Sequence, residues 1–415
     1  MKTCNNFISN RARILLVFTP FMLAYLISEL YRNINGVIAP ALRHSLDIGP
    51  EQLGLLSSVF LLALALVQIP VGLLLDRFGS RRVVPSFMVV AALGAWLFTF
   101  PSYGAALTGR LLLGLGLGAC WAGAYRANVL WWPAERLALA NGALLGLSGL
   151  GALLATLPTE MLLQSLRWQT LFHGLAGITL ILALLIWLLV PTHPAERENS
   201  GSALGGLLSV IRHPLFMRIW PMTLMCEGSW LAWQGLWAGG WMREVVGLHE
   251  RITAFYLLGL AVAIVVGQLI ISALTDWLMQ RGVPLIRVMR IMLVGFVTVQ
   301  GVIVWLPLPG TSLLWIVFGL LTVGPILAYA WLATELPSHL SGRMISLLNM
   351  AATLGGFILQ YAVGWMIELW PQTYGHYPDA AWRWTLSLMI MLQVFAMARL
   401  LYLPYESSCT EASRS

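Results

Sequence analysis

Apolar runs of about twenty residues recur from one end of this chain to the other, each long enough to cross the hydrocarbon core of a bilayer as a helix. Twelve can be drawn along the 415 residues, at 14–39, 53–75, 83–100, 105–131, 139–162, 169–190, 217–242, 253–275, 286–306, 312–334, 343–368 and 382–403. With no water in that core, backbone N–H and C=O groups must find partners internally, which leaves helices or a closed barrel. The runs lack the short apolar/polar alternation of membrane strands, so the sequence predicts an all-α polytopic membrane protein. Composition agrees: 59% of residues are hydrophobic and 10% are charged, with a mean hydropathy of +0.80. A soluble domain carries about 25% charged residues, and no stretch is left over to build one.

The basic residues set the expected topology. With the N-terminus inside, fifteen Lys and Arg fall on the cytoplasmic side, against Arg43, Arg110, Arg167, Arg243, Arg251 and Arg383 on the other. The positive-inside rule then places both termini in the cytoplasm. The net charge of +7 therefore belongs to membrane orientation; no basic cluster interleaved with aromatics suggests nucleic acid. The polar start Met1–Arg13 precedes an apolar run too long for a signal-peptide core, so the first span is read as uncleaved. Cys4, Cys120, Cys226 and Cys409 lack paired spacing, which argues against a disulfide framework or a metal site. The absence of an N-x-S/T sequon fits a bacterial inner (plasma) membrane.

Polarity returns at length only between Pro191 and Pro214. The expected organisation is a six-helix bundle over 1–190, a cytoplasmic linker over 191–216 and a second bundle over 217–415. An internal repeat supports it: Gln68 and Asp76 recur as Gln268 and Asp276, and Arg136 before the fifth span matches Arg343 before the eleventh. Parallel repeats of this kind mark transporters.

Charges inside the spans point to the site. Arg32 and Arg126 each lie within an apolar run, at a cost of roughly 2.5–3.5 kcal/mol apiece on insertion scales, so each normally faces a partner or a wet cavity. Two fixed cations in one cavity suit an anion. Glu29 shares a helix face with Arg32, which leaves a purely structural pair as the alternative; for Arg126 the alternative is snorkelling to the interface. Glu227 in the seventh span is read either as a buried proton-coupling acid or as an acid in water at a helix end. Trp230, Trp233, Gln234 and Trp237 on that helix suit stacking on a ligand or an interfacial aromatic belt. Tyr329 and Gln360 are further cavity candidates, or polar groups joining helices.

Between the second and third spans stands Gly72-Leu-Leu-Leu-Asp76-Arg77-Phe78-Gly79-Ser80-Arg81-Arg82. This resembles the loop motif G-x-x-x-D-R-x-G-x-R-R of the major facilitator superfamily. With twelve spans and a half-repeat, the resemblance covers the whole chain. It implies two pseudo-symmetric six-helix bundles that rock about a midplane site lined by spans 1, 4, 7 and 10, usually in a monomer. It also makes Asp76, Arg77 and Arg81 gating residues, with Asp276 as counterpart.

A second resemblance is more specific. Glu29-Leu-Tyr31-Arg32-Asn33-Ile-Asn35 and Arg126-Ala-Asn-Val-Leu-Trp131-Trp132-Pro133-Ala-Glu135-Arg136 are similar to the span 1 and span 4 signatures of the anion:cation symporter branch, D-R-x-N and R-x-x-x-x-W-F-P-x-x-E-R. The resemblance implies that Arg32 and Arg126 bind a substrate carboxylate; Asn35, Trp233 and Gln234 are further substrate-binding candidates by their place in the spans. Glu135 and Arg136 become gate charges. Tyr31 stands where that branch has an acid, and Pro133 to Glu135 is one residue shorter.

Resemblance to the nitrate/nitrite branch stops at spans 2 and 8, which lack its arginines. The fifth span also lacks the G-P-x-x-G-G pattern of drug antiporters. No Walker loop, zinc-ligand pair or nucleophile elbow is present, so neither an enzyme nor an ATP-driven pump is expected. The expectation is a proton-coupled carrier of a small organic anion, with no cofactor beyond the proton gradient, no nucleic-acid partner, and Glu29 or Glu227 carrying the proton. A drug or metabolite exporter and a transporter-like receptor are the alternatives.

Overall fold

The computed structural model describes residues 13–191, 210–306, 312–335, 338–372 and 376–401. Most of the expected linker lies outside the described residues, as do Cys4, Cys409 and the basic residues Lys2, Arg11, Arg197 and Arg414.

Eleven helices among the described residues have the length and apolarity to cross a membrane. The remaining expected span, the seventh, is a run of five helical segments from Pro214 to Glu244. Two π-helical turns, Thr223–Glu227 and Trp233–Trp237, interrupt it. Such turns are rare and tend to sit at functional sites. Each adds a residue to its turn and so rotates the side chains that follow.

The first span is Thr19–Asn33 and Asn35–Leu46, entered through a π turn at Ile14–Phe18. The second is Pro50–Phe78 and the third Ser80–Phe98. They are joined at Gly79, whose φ of 76° favours glycine. Glycines also set the closest crossings: in the fourth span, Tyr103–Trp131, a Cβ at Gly116 would meet the Phe87 carbonyl oxygen of the third at 2.5 Å. Small residues permit that backbone approach, where dispersion replaces the missing hydrophobic drive.

Arg110 departs from its expected place on the loop side. It lies two turns inside the fourth span, 1% exposed. Its guanidinium sits over the rings of Phe60 and Phe98, at 5.2 and 5.5 Å, and donates to the Tyr31 carbonyl at 3.1 Å. Cation–π attraction and the carbonyl offset part of the desolvation cost.

The C-terminal bundle is tied by a buried polar network. Gln300 of the ninth span, Leu285–Trp305, accepts from Ser229 and Trp233 of the seventh, at 2.8 and 3.1 Å. It also donates to Gln393 of the twelfth, Asp379–Leu401, at 2.9 Å.

The halves meet where the first span packs on the seventh, the second on the eleventh (Ser338–Glu368), and the fifth (Ala134–Leu154 and Leu157–Leu163) on the eighth (Glu250–Gln280). Most polar bonds described between the halves gather at one end. There Arg43 pairs with Glu244 at 2.9 Å, Arg243 donates to the Gly36 carbonyl at 3.2 Å, and Glu368 accepts from the Glu51 amide at 2.7 Å. Tyr361 adds a bond to the Glu51 carboxylate at 2.9 Å. Deeper, Gln68 donates to Thr353 at 3.4 Å. At the opposite end, Asp76 pairs with Arg126 and Arg81 donates to the Trp187 carbonyl, both contacts within the N-terminal half.

Candidate functional site

Below the latched end, three spans converge on Gly235 of the seventh. The first and eleventh leave little room there: a Cβ would lie 3.1 Å from Gln360 Nε2, a tight contact, and 3.9 Å from the Arg32 carbonyl oxygen, an ordinary one. The Arg32 guanidinium pairs with Glu29, as their spacing on one helix face predicted. Tyr25 stands beside Glu29, with Ser148 of the fifth span next to it. The pairing leaves capacity unused. Arg32 Nε is buried and finds no partner among the described residues, and the same holds for Asn35 Oδ1 and Gln360 Oε1. Asn35 gives its Nδ2 to Ser57 of the second span at 2.8 Å. Beside this cluster lies a cavity of about 10 Å³ lined by Asn33, Val37, Ala152, Thr156, Gln234 and Leu257, close to the room one water needs. Buried polar groups normally find partners, so a group of open donors and acceptors between two halves is a feature to be explained by what enters there.

Glu227 sits at the end of the first π turn, in mid-span and not in water at a helix end. Its Oε2 accepts from Tyr329 of the tenth span at 3.1 Å, while Oε1 is buried without a partner among the described residues. The neighbouring Gly228 abuts Gly355, where a Cβ would meet backbone at 2.5 Å. Along the seventh span, Glu227 stands about 12 Å from Gly235 at the helical rise.

Three expected ligands lie elsewhere or are turned away. Arg126 pairs with Asp76 where the second and fourth spans end. The Asn35–Ser57 contact fixes the register of the first and second spans, and Asp76 is about 28 Å farther along from Ser57 at 1.5 Å per residue. Arg126 and Arg32 therefore do not face one another. Trp233 is 1% exposed, its ring edge-on to Trp315 at 5.4 Å and its N–H taken by Gln300. It packs the C-terminal bundle and does not line the interface. Trp237 gives its N–H to the Gln360 carbonyl at 2.9 Å and packs edge-on to Trp382.

The remaining gate candidates are spread over the Asp76 end. Arg77 is exposed with its guanidinium 5.2 Å from the Phe78 ring, and Arg81 donates to the Trp187 carbonyl of the sixth span (Trp168–Leu189) at 3.1 Å. Arg136 and Asp276 are exposed. Glu135 lies in the first turn of the fifth span, and its side chain is outside the described residues. Among the described residues no group of three or more His, Cys, Asp or Glu could hold a metal ion.

Sequence reasoning missed the latched end. Arg43, Arg243, Glu244, Trp237, Tyr377 and Trp382 line a cavity of about 130 Å³ there. A signal available there was Pro40 inside the first span, which announces an open carbonyl one turn earlier.

A family model described as Major Facilitator Superfamily matches residues 21–359. The chain is 25% identical over 276 residues to the probable sulfoacetate transporter SauU of Cupriavidus necator, covering 62% of this chain and 64% of that one. It is 23% identical over 364 residues to the probable galactarate/D-glucarate transporter GudP of Escherichia coli, covering 77% and 80%. A shorter match, 27% identical over 160 residues, covers 38% of this chain and 40% of the multidrug resistance protein MdtL of Salmonella heidelberg. The chain thus spans just under two thirds of the sulfoacetate relative and less than half of the multidrug one. Among solved structures, a bacterial homolog of the human lysosomal transporter Spinster, inward-facing and unoccupied, matches with a TM-score of 0.79 at 15% identity, covering 95% of this chain and 97% of that one. That likeness shows the fold.

Proposed function

The chain belongs to the major facilitator superfamily of transporters, and from that premise we propose that it carries a small organic anion together with a proton. One observation carries the reading: a guanidinium at the junction of the two halves, held by Glu29, with a buried Nε left open. A carboxylate or sulfonate would take that N–H. Asn35 Oδ1 and Gln360 Oε1 are acceptors, so they suit hydroxyl groups on the body of the solute.

The pair also supplies a coupling device. While Glu29 is ionised, it competes with an incoming anion for Arg32. A proton on Glu29 ends the ion pair, and the full charge of Arg32 becomes available. Release of the anion lets Glu29 ionise and return to Arg32. One proton with one monoanion moves no net charge. Glu227, bonded to Tyr329 in the C-terminal half, is the second acid in the pathway. Arg126 is assigned to the gate with Asp76, alongside Arg77, Arg81, Arg136 and Asp276.

The probable sulfoacetate and galactarate/D-glucarate transporters among the relatives support an anionic substrate. The multidrug relative supports the alternative, proton-driven efflux, in which Glu227 and not Arg32 would govern the solute. With both termini in the cytoplasm of an inner-membrane protein, the latched end faces outward and the site is reached from inside.

The test is a thermal-shift screen of the purified protein and its Arg32→Ala variant against sugar acids, sulfonates and lipophilic cations. An anion at about 100 times its dissociation constant should add roughly 2.7 kcal/mol of stability to the wild type and none to the variant. Stabilisation of both proteins by cations, with no anion effective, would replace anion carriage by efflux.

A further inference from the structure

We propose that the latched end is held by two side chains of the C-terminal half that cap backbone groups the N-terminal half leaves open: Arg243 on the Gly36 carbonyl, and Glu368 on the Glu51 amide. The inference concerns which residues set the balance between closed and open states, and it stands whichever solute is carried.

The first open group follows from Pro40. Proline has no N–H, so in the helix Asn35–Leu46 the carbonyl four residues earlier, on Gly36, loses its donor. An unpaired carbonyl inside a membrane protein is costly. Arg243 supplies the missing donor from the seventh span at 3.2 Å. The approach depends on Gly239, one turn before Arg243, because a Cβ there would stand 2.6 Å from the Gly36 oxygen.

The second arises at the start of the second span. Its N-cap position is Gly49, which has no side chain to cap with, and Pro50 follows with no N–H, so Glu51 carries the first free amide. Glu368, at the end of the eleventh span, accepts that amide at 2.7 Å. Its negative charge also meets the positive end of the helix dipole. A Cβ on Gly49 would stand 2.6 Å from the Glu368 carboxylate, so the residue that withholds a cap also makes room for the borrowed one.

Both caps join the halves, and both bind backbone. Separation at this end strips a carbonyl and an amide of their partners together; the Arg243 bond is part-buried and the Glu368 bond exposed, while Arg43 and Glu244 join side chain to side chain. The proposal makes an unusual demand. Substitutions that complete the N-terminal helices by themselves should loosen the closed state. Pro40→Ala gives position 40 an N–H for Gly36, and Gly49→Ser gives the second span its own cap while displacing Glu368.

The experiment reads opening through the modification rate of a single cysteine, Leu53→Cys, in a chain whose four native cysteines are replaced by alanine. Leu53 lines the cavity at the latched end and is 4% exposed, so a membrane-impermeant maleimide reacts with it when that end parts. Pro40→Ala and Gly49→Ser should each raise the rate by about five- to thirtyfold, the span of a lost cap, and together by roughly the product. Pro85→Ala, the same chemistry in the third span away from the other half, should leave the rate unchanged. Arg243→Gln and Glu368→Ala approach the same bonds from the C-terminal half, each with the same expected increase, should Pro40→Ala fail to fold. An unchanged or slower rate in folded Pro40→Ala or Gly49→Ser protein overturns the proposal, as does an equal increase in Pro85→Ala.

Discussion

Arg32 and Glu29 show what a single chain can disclose. Three residues apart on a helix, they were bound to share a face, and the structure pairs them. Arg126 and Asp76 are fifty positions apart and meet only because two helices end together, which no local spacing announces. Arg110 was misplaced for a related reason: a basic residue near a span end reads as a loop charge until the rings of Phe60 and Phe98 close over it. The proposed competition at Arg32 has a signed consequence. Glu29→Gln removes the anionic partner of Arg32 and should bind the anion found by the thermal screen more tightly than the wild type. Titration calorimetry on the two proteins checks this. Equal affinities would mean that Glu29 does not hold Arg32 against the solute.

Apolar length made eleven of the spans legible to within about seven residues at either end, since twenty residues in lipid have few other structures open to them. The seventh span was legible as a segment but not as a shape. A π turn has no compositional mark, and two of them turn Trp233 into the bundle while leaving Glu227 beside Tyr329. The glycine pair that seats this region can be tested. Gly355 lies so close to the seventh span that a Cβ would collide with the Leu224 carbonyl oxygen. Gly355→Val must therefore push the seventh and eleventh spans apart, at a cost of about 1–3 kcal/mol or more. A lowered melting temperature in detergent, with transport lost in reconstituted vesicles, is the expected result. Full transport with an unchanged melting temperature would mean that the two helices do not pack this closely in the membrane.

At the scale of the molecule, two bundles have to part at one end and meet at the other, and the bonds at the latched end differ in what they contribute to that balance. Arg43 and Glu244 keep 32% and 19% of their side-chain surface exposed, which puts their pair among those worth about 0.2–1 kcal/mol and weakened by salt. His376, 3.3 Å from the same carboxylate, is more exposed still. The part-buried cap from Arg243 cannot be replaced so cheaply, since the Gly36 carbonyl would be left open, whereas the Glu51 amide, bonded to Glu368 in an exposed position, can turn to water. Glu244→Gln should accordingly change the initial transport rate by less than about fivefold, with the difference from wild type vanishing in 1 M salt. Initial uptake rates in vesicles, measured at low and high salt, decide the matter. A loss of tenfold or more that persists in high salt would make Glu244 itself the main fastening. The closed state would then rest on a side-chain ion pair, and not on the backbone groups that Pro40 and Gly49 leave open.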